Sequence, residues 1–569
     1  MTSISRRAAL LGTMTGGLAG CATSFNRQSF QAFNPVGGAA FAHGVASGDP
    51  AADSIVLWTR VTTKAPALPV QVEIAADPEF TKTVKTLSTE THRGRDHTVK
   101  VIVEGLEPGT TYHYRFIAAG ETSPTGRTRT LPAETARVKF AVASCSNYPF
   151  GYFNAYDHMA RLDDVDAVLH LGDYIYEYGP DGYGADVGRA LGRPHLPAKE
   201  TVTLADYRQR HAQYKSDPSA QAMHGAHPLI AIWDDHETTN DSWKDGAENH
   251  DPATEGSWED RRRAALQAYY EWMPIRDPEP GKTREALFKS YSWGKLLTLT
   301  AIETRLTART EQIAYSDYVP TLTSPEAIDQ FRRDVVGDPS RTMMSDAQMD
   351  YIEAAFKRSV ANREPWRVVA NQVIMAEVIA PDLTPHASEE MIQALEKQWD
   401  QARAFVEFSA LGLPYNLDAW DGYPAARERF YNMAKAAGVR DLIVLTGDTH
   451  EAWGNDLYTQ EGEPMGVELG TTSVTSPAPS GYLGDSAFGM SLLMRRENKA
   501  VRYHDSLQKG YLTLTLTEEK GVVDYIGLST ITSPVYDAMV AARFDLTKTD
   551  GTVAFSNPRG LGFKERVVY

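Results

Sequence analysis

The chain has only two cysteines in 569 residues, Cys21 and Cys145. That excludes a disulfide scaffold and a cysteine-rich metal ribbon. Long apolar runs are scarce as well: beyond the first twenty or so residues, no segment has the length and apolarity of a transmembrane helix. Positive charge is in deficit, with 57 Lys and Arg against 74 Asp and Glu and a formal net charge of −17. Such a chain is not expected to bind nucleic acid specifically or to grip a membrane through basic residues. It can handle an anionic substrate only where local cations reverse the field. Heptads, internal repeats and low-complexity tracts are also missing. The remaining composition is that of an ordinary globular chain, too long for one core, so two domains are expected, one of them large.

The N-terminus carries targeting information. Arg6 and Arg7 precede the apolar run "AALLGTMTGGLAG", which has the form of a twin-arginine export signal. It ends in "LAGC", Leu18 to Cys21, similar to the bacterial lipobox in which the cysteine is lipidated. The plainer alternative is a secretory signal with a coincidental cysteine. Residues 1–21 are therefore read as signal with lipobox, and the polar stretch 22–39 as a linker. An exported protein of the periplasm or cell surface is expected, with membrane anchoring through Cys21 and the twin-arginine machinery as export partner. Whether Cys21 is lipidated or removed, Cys145 has no disulfide partner. It is either a buried small hydrophobe or a metal-bound thiolate, and export of a folded, cofactor-loaded protein favours the second.

From 40 to 132 the pattern is all-β. "SIVLWTRV", "VQVEIAAD", "HTVKVIVEGL" and "TTYHYRFIAAG" are short β-branched runs separated by turn residues. "LEPGTTYHYRF" is a turn-and-strand pattern frequent in fibronectin type III-like sandwiches. From 133 to 569 apolar strands alternate with helical patterns, the α/β signature. The predicted strands are "VKFAVASC", "VDAVLHLGD", "PLIAIWDD", "LLTLTAIETR", "WRVVANQVI" and "DLIVLTGDTH". Predicted helices include "SWEDRRRAALQAYYEWM", stopping at Pro274, "SDAQMDYIEAAFKRSV", opened by Ser345, and "AARERFYNMAKAAG", ending at Gly438. Loop-rich stretches at 176–200 and 381–420 are expected to wall a site.

Four strand ends carry ligand chemistry: Cys145; Asp173, Tyr174 and Tyr176; Asp234, Asp235, His236, Asn240 and Asp241; Asp448 and His450. Taken singly, each has a plain reading. An aspartate after glycine is usually a turn, Tyr176 a wall residue, His450 a satisfied loop histidine, and Asp234 a cap with only Asp235 pointing inward. Open α/β sheets converge their strand C-termini on one crevice, so the joint pattern points to a site. Carboxylate and amide oxygens suit hard cations, whereas thiolate and imidazole suit transition metals. A mixed set implies at least two different ions, which Asp173 could bridge. Such ions clamp the oxygens of an in-line displacement.

"GDYIYEYG", "WDDHE", "YRQRHAQYKSD", "AWDGYP", "LTGDTH" and "GTTSVTSP" resemble the PhoD-type alkaline phosphatases, and "FAHGVASGDP" resembles the start of that family's N-terminal domain. The resemblance implies an α/β metallophosphatase core, a sandwich of two mixed β-sheets flanked by helices, behind an N-terminal fibronectin type III-like sandwich. It implies hydrolysis of phosphate monoesters or diesters at alkaline pH by in-line attack of a metal-bound hydroxide, with Fe3+ and Ca2+ as cofactors and phosphate esters as substrates. Carried over, Cys145 and Tyr176 look like iron ligands, Asp173 the bridge and Asp448 the completion of the iron site. Asp235, Asn240 or Asp241, and His450 would serve the calcium side or the substrate. His236 or His450 would donate a hydrogen bond to the phosphoryl or leaving oxygen, while Asn147 and Arg305 would lie around the substrate. Where the family pattern suggests "LDTR" this chain has "IETR", Glu303 to Arg305, so Glu303 is read as supporting and Arg305 as a structural ion pair before a phosphate clamp. Two rival readings stand beside this one: a phospholipase D-like or polymer-directed phosphodiesterase, and a lipid-anchored surface-binding protein with an inert α/β domain.

Overall fold

A computed structural model describes residues 40–396, 402–478 and 487–556. Cys21 and the export signature lie outside the described residues. All six strands predicted after residue 132 form, as Arg137–Ala143, Ala167–His170, Pro228–Ala231, Leu297–Ala301, Trp366–Ala370 and Leu442–Thr446. The first three run parallel at the centre of a ten-stranded sheet, and the last three run parallel within a seven-stranded one. Both sheets acquire antiparallel neighbours, including Lys509–Thr517 beside Arg137–Ala143, which makes them mixed.

The two sheets pack face to face because their strands alternate. Phe140 and Val142 turn inward to meet Leu299, Val368, Ile443 and Leu445 of the other sheet. Ala141 and Ala143 turn outward beneath helices such as Trp258–Trp272, while Leu442 and Val444 face helices Asp346–Ala361 and Pro424–Ala436. Ser345 caps its helix by accepting from the Gln348 amide, and Gly438 takes the left-handed φ of 83° just past the end of Pro424–Ala436.

The N-terminal region folds as a β-sandwich. Val70, Val72 and Ile74 of one sheet pack on Ile55, Leu57, Val99 and Val103 of the other. One of these two layers is also the edge of the ten-stranded sheet: Val45–Gly48 pairs parallel with Pro228–Ala231, so hydrogen bonding runs unbroken from the sandwich into the strand that leads to Asp234. Among the described residues, no helix is long and apolar enough to cross a membrane.

Candidate metal centre

The "GD" pairs at two strand ends have a steric cause. A Cβ on Gly172 would lie 2.4 Å from the Asp234 side chain, and one on Gly447 would lie 2.2 Å from Ser144 Oγ. Glycine at both positions lets the ends of neighbouring strands close on one another. The residues that follow take left-handed backbone: Asp173 at φ 56° and Asp448 at 64°, with Cys145 at 60° and His450 at 63°. Such conformations cost non-glycine residues on the order of 1 kcal/mol or more each and cluster at functional sites. With Asp241 at 51°, five of the expected site residues share this one rare geometry.

The side chains meet in three overlapping groups, with ligand atoms within 4.8 Å of one another: Cys145, Asp173 and His450; Asp173, Asp235 and His236; Asp234, Asp235 and Asp448. Tyr176 joins the first, its hydroxyl donating to Asp173 Oδ2 at 3.0 Å and lying 3.3 Å from His450 Nε2. Ser476 Oγ donates to the same phenol oxygen at 2.8 Å. The Pro477 carbonyl lies 2.8 Å from His450 Nδ1 and so fixes the proton there. That leaves Nε2 with its lone pair toward the group, the arrangement in which a backbone carbonyl orients a metal-ligating imidazole. His236 Nδ1 lies 2.7 Å from Glu177 Oε2, and its ring packs 4.2 Å from that of Tyr176.

Burial disfavours charge across much of the cluster. It pushes the Cys145 thiol and the Tyr176 phenol well above their ordinary values, with Asp173 adding to both shifts. Burial, then Asp234 and Asp418, raises Asp448 to about 8. Burial raises Asp234 to about 6 against the pull of Arg305, and Asp173 well above the usual range against the pull of His236. For His236, burial disfavours the charge, but Glu177, Asp235 and Asp173 together outweigh it and favour the imidazolium. Asp173 Oδ1 and Asp234 Oδ2 are buried without a hydrogen-bond partner among the described residues. Orphaned carboxylate oxygens amid crowded anions, beside a thiol, a phenol and an imidazole, fit a cluster of cations. Multivalent charge would replace the protons and invert the shifts of the thiol, the phenol and the carboxyls.

Residues 140–525 match the profile of the PhoD-like phosphatase family, and residues 27–132 that of the PhoD-like phosphatase N-terminal domain. The chain belongs to the PhoD-like phosphatase family. It is 35% identical over 514 residues to alkaline phosphatase D of Bacillus subtilis (strain 168), covering 87% of this chain and 78% of that relative. A solved structure of PhoD superposes with a TM-score of 0.74 at 31% identity, covering 93% of this chain and 94% of the other. This PhoD-like protein is thus a metal-dependent phosphoric ester hydrolase, not an inert binding module.

Within the PhoD-like site, two expected groupings change. His450 falls in with Cys145, Asp173 and Tyr176, whereas Asp448 falls in with Asp234 and Asp235. The left-handed turns at Asp448 and His450 account for the split, sending residues two apart to different groups. Asp234, which could have been a cap alone, is part of the carboxylate group. Asn240 ties the "WDDHETTND" run in place: Oδ1 accepts from Tyr178 at 3.2 Å and Nδ2 donates to Glu248 at 2.7 Å. The Asp241 amide donates to Asp235. Arg305 is fully buried, bonded to Asp234 and to Asp418 at 2.8 Å, with Asp235 and Asp448 at 3.9 Å, so it braces the carboxylates. Glu303 accepts from the amides of Arg305, Leu306 and Thr307 and holds that turn. Asn147 is fully buried, and its amide atoms have no hydrogen-bond partner among the described residues.

Sequence reasoning passed over three supporting carboxylates. Glu237 accepts from the amides of Asp173, Tyr174 and Asp234, at 3.0, 2.7 and 2.8 Å, and so binds two ligand turns together. Glu177 holds His236, the Asn240 amide and Thr239 Oγ1. Asp418 anchors Arg305 and Arg309. The first two stand inside "GDYIYEYG" and "WDDHE", so an acid within a motif that already carries ligands was the available signal.

Proposed function

We propose that this chain is an exported phosphatase acting on phosphate monoesters, with diesters as a second substrate class, at alkaline pH, through a mixed centre of ferric iron and calcium. The observation that carries this reading is the sharing of Asp173 between the Cys145–His450 group and the Asp235–His236 group. Thiol, phenol and imidazole on one side suit a transition metal, so Cys145, Tyr176, His450 and Asp173 would hold iron. The all-oxygen set of Asp234, Asp235 and Asp448, with Asp173, would hold calcium. When bound, these ions supply positive charge to the phosphate oxygens and acidity to the attacking water.

The chain's own residues do the rest. His236 is the proton donor, because its charge is favoured by its carboxylate neighbours and Glu177 fixes its Nδ1. His450 is committed elsewhere, with Nδ1 on Pro477 and Nε2 toward Tyr176. Arg305 keeps the carboxylates apart from one another and does not reach for phosphate, since both of its faces are taken by Asp234 and Asp418.

Elemental analysis of the natively exported protein tests the proposal, together with its visible absorption and its rates on p-nitrophenyl phosphate and bis-p-nitrophenyl phosphate. Iron with calcium, a phenolate-to-iron colour and monoester hydrolysis are expected. Cys145→Ala should lose iron and activity while keeping its fold. A colourless, iron-free enzyme at full rate would remove iron from the reading, and an iron-replete Cys145→Ala at full rate would remove Cys145. Lipid labelling that depends on Cys21 tests the anchor.

A further inference from the structure

Helix Leu204–Lys215 lies behind the 176–200 stretch, and its Arg210 is fully buried. No carboxylate among the described residues lies within ion-pair distance of it. Its guanidinium instead meets backbone carbonyls. Nη1 donates to Tyr176, and Nη2 donates to Tyr178 at 3.0 Å, to Lys199 at 3.3 Å and to Pro197 at 3.4 Å, while Nε donates to Leu196 at 2.9 Å. These acceptors are the two feet of one excursion: Tyr176 and Tyr178 where it leaves the site, and Leu196 to Lys199 where it returns. The Thr201 amide closes the same foot by donating to the Glu177 carbonyl at 2.9 Å. Between the feet the excursion carries Tyr183, whose ring stacks on that of His450.

Burying a guanidinium without a counter-anion is costly, and burial drives Arg210 down to about 10. The charge is kept where a planar fork with five donors is needed, and no other side chain has one. An ammonium group offers three donors from a single point and cannot span both feet. The phenol of Tyr176 needs such a fixed base, because its oxygen must meet Asp173 at 3.0 Å and Ser476 at 2.8 Å together.

We propose that Arg210 is a positioning residue for the metal centre, clamping the Tyr176 carbonyl to the returning foot and so setting the phenol's approach to Asp173 and His450. This rests on the reading of Tyr176 as a group of that centre. The test is a double-mutant cycle in the full-length, natively exported enzyme, with p-nitrophenyl phosphate kinetics on Arg210→Lys, Tyr176→Phe and the double variant. Each is checked for folding by its melting curve, and the visible absorption of each is recorded. Arg210→Lys should lower kcat by roughly tenfold to a hundredfold with a smaller change in KM, and weaken any phenolate colour. In the Tyr176→Phe background the same change should cost almost nothing further. Losses that multiply would show that Arg210 merely stabilises the fold and would overturn the inference, as would a parent-like Arg210→Lys. A parent-like Tyr176→Phe would instead strike the reading of Tyr176 itself, and the inference with it. If Arg210→Lys does not accumulate folded, Arg210→Gln, which keeps a neutral donor, completes the cycle.

Discussion

Strand Leu442–Thr446 has an aspartate just outside each end, and the two behave as opposites. Asp441, at the start, accepts from Arg367 at 2.8 and 2.6 Å and from Lys548 at 2.9 Å. Burial works against its charge, but Arg367 and Lys548 win and hold its carboxyl below the usual range. Asp448, past the other end, takes a left-handed φ of 64° and is raised to about 8 by burial and by neighbouring carboxylates. Both are shielded from water, so burial alone does not separate them. Charge balance does. At the base of the sheet the polypeptide supplies the cations and the result is stability. At the top it crowds Asp234, Asp235 and Asp448 around Arg305, and the balancing charge has to come with the bound cations.

The largest expected effects come from neutralising each aspartate in turn. Asp448→Asn should lower kcat by roughly 10²- to 10³-fold, since it removes charge from the group that organises the reaction, and should leave the melting temperature of metal-stripped protein unchanged or higher. Asp441→Asn should leave kcat unchanged and cost about 3 kcal/mol in chemical denaturation, because it strands Arg367 against a neutral partner. If both variants lost activity and neither lost stability, the division between base and top would fail.

The pH dependence of the metal-stripped protein sharpens the same contrast. Asp448 is raised from about 3.9 unfolded to about 8 folded, so its contribution is complete below about pH 4 and is lost as pH climbs toward 8. Asp441 is depressed, so its contribution is present above about pH 4 and is lost as acid protonates it below that. Stripped protein should therefore melt at progressively lower temperature from pH 5 to pH 9, read as about a few degrees across the range. Loading metals should abolish or reverse that slope, since bound ligands are already deprotonated.

Much of this division could be read from the chain, because strand ends are local features. Each apolar run stops where "GD", "DDHE" or "CSN" begins, and the spacing alone marks Asp173, Asp235 and Asp448. The partition of ligands could not be read, since it depends on backbone handedness: His450 and Asp448 part company through two left-handed residues that no periodicity reveals. Long-range pairing was equally hidden. Four residues, Val45–Gly48, join the sandwich to the catalytic sheet, and strands after residue 508 complete it. Buried acids such as Glu237 and Glu177 look like surface charge in a sequence, and only their amide and imidazole partners show why they are inside.

A smaller effect is expected where the site uses a pair instead of a crowd. Glu177→Gln keeps the shape beside His236 and removes the largest of the three carboxylate influences that favour its imidazolium. The expected result is a kcat lower by roughly tenfold to a hundredfold. The alkaline limb of the pH–rate profile should also move to lower pH, because His236 then loses its proton more readily. An unmoved limb with full activity would place proton donation elsewhere.

The smallest effect belongs to the outer member of the basal cluster. Lys548 Nζ bonds both Asp441 and the Pro365 carbonyl, but about a third of its side chain remains in water. Solvent screens such an ion pair, and Arg367 already binds both carboxylate oxygens, so Lys548→Met should cost about 0.5 kcal/mol or less. The methionine retains an apolar stem near the Trp366 ring, which the lysine nitrogen now overlies at 5.1 Å, so packing is largely conserved. Equilibrium denaturation in low and high salt separates the two contributions. A loss as large as that of Asp441→Asn would mean that the base is held by total positive charge and not by the fork of Arg367, and the contrast with Arg305 at the top of the sheet would then need to be redrawn.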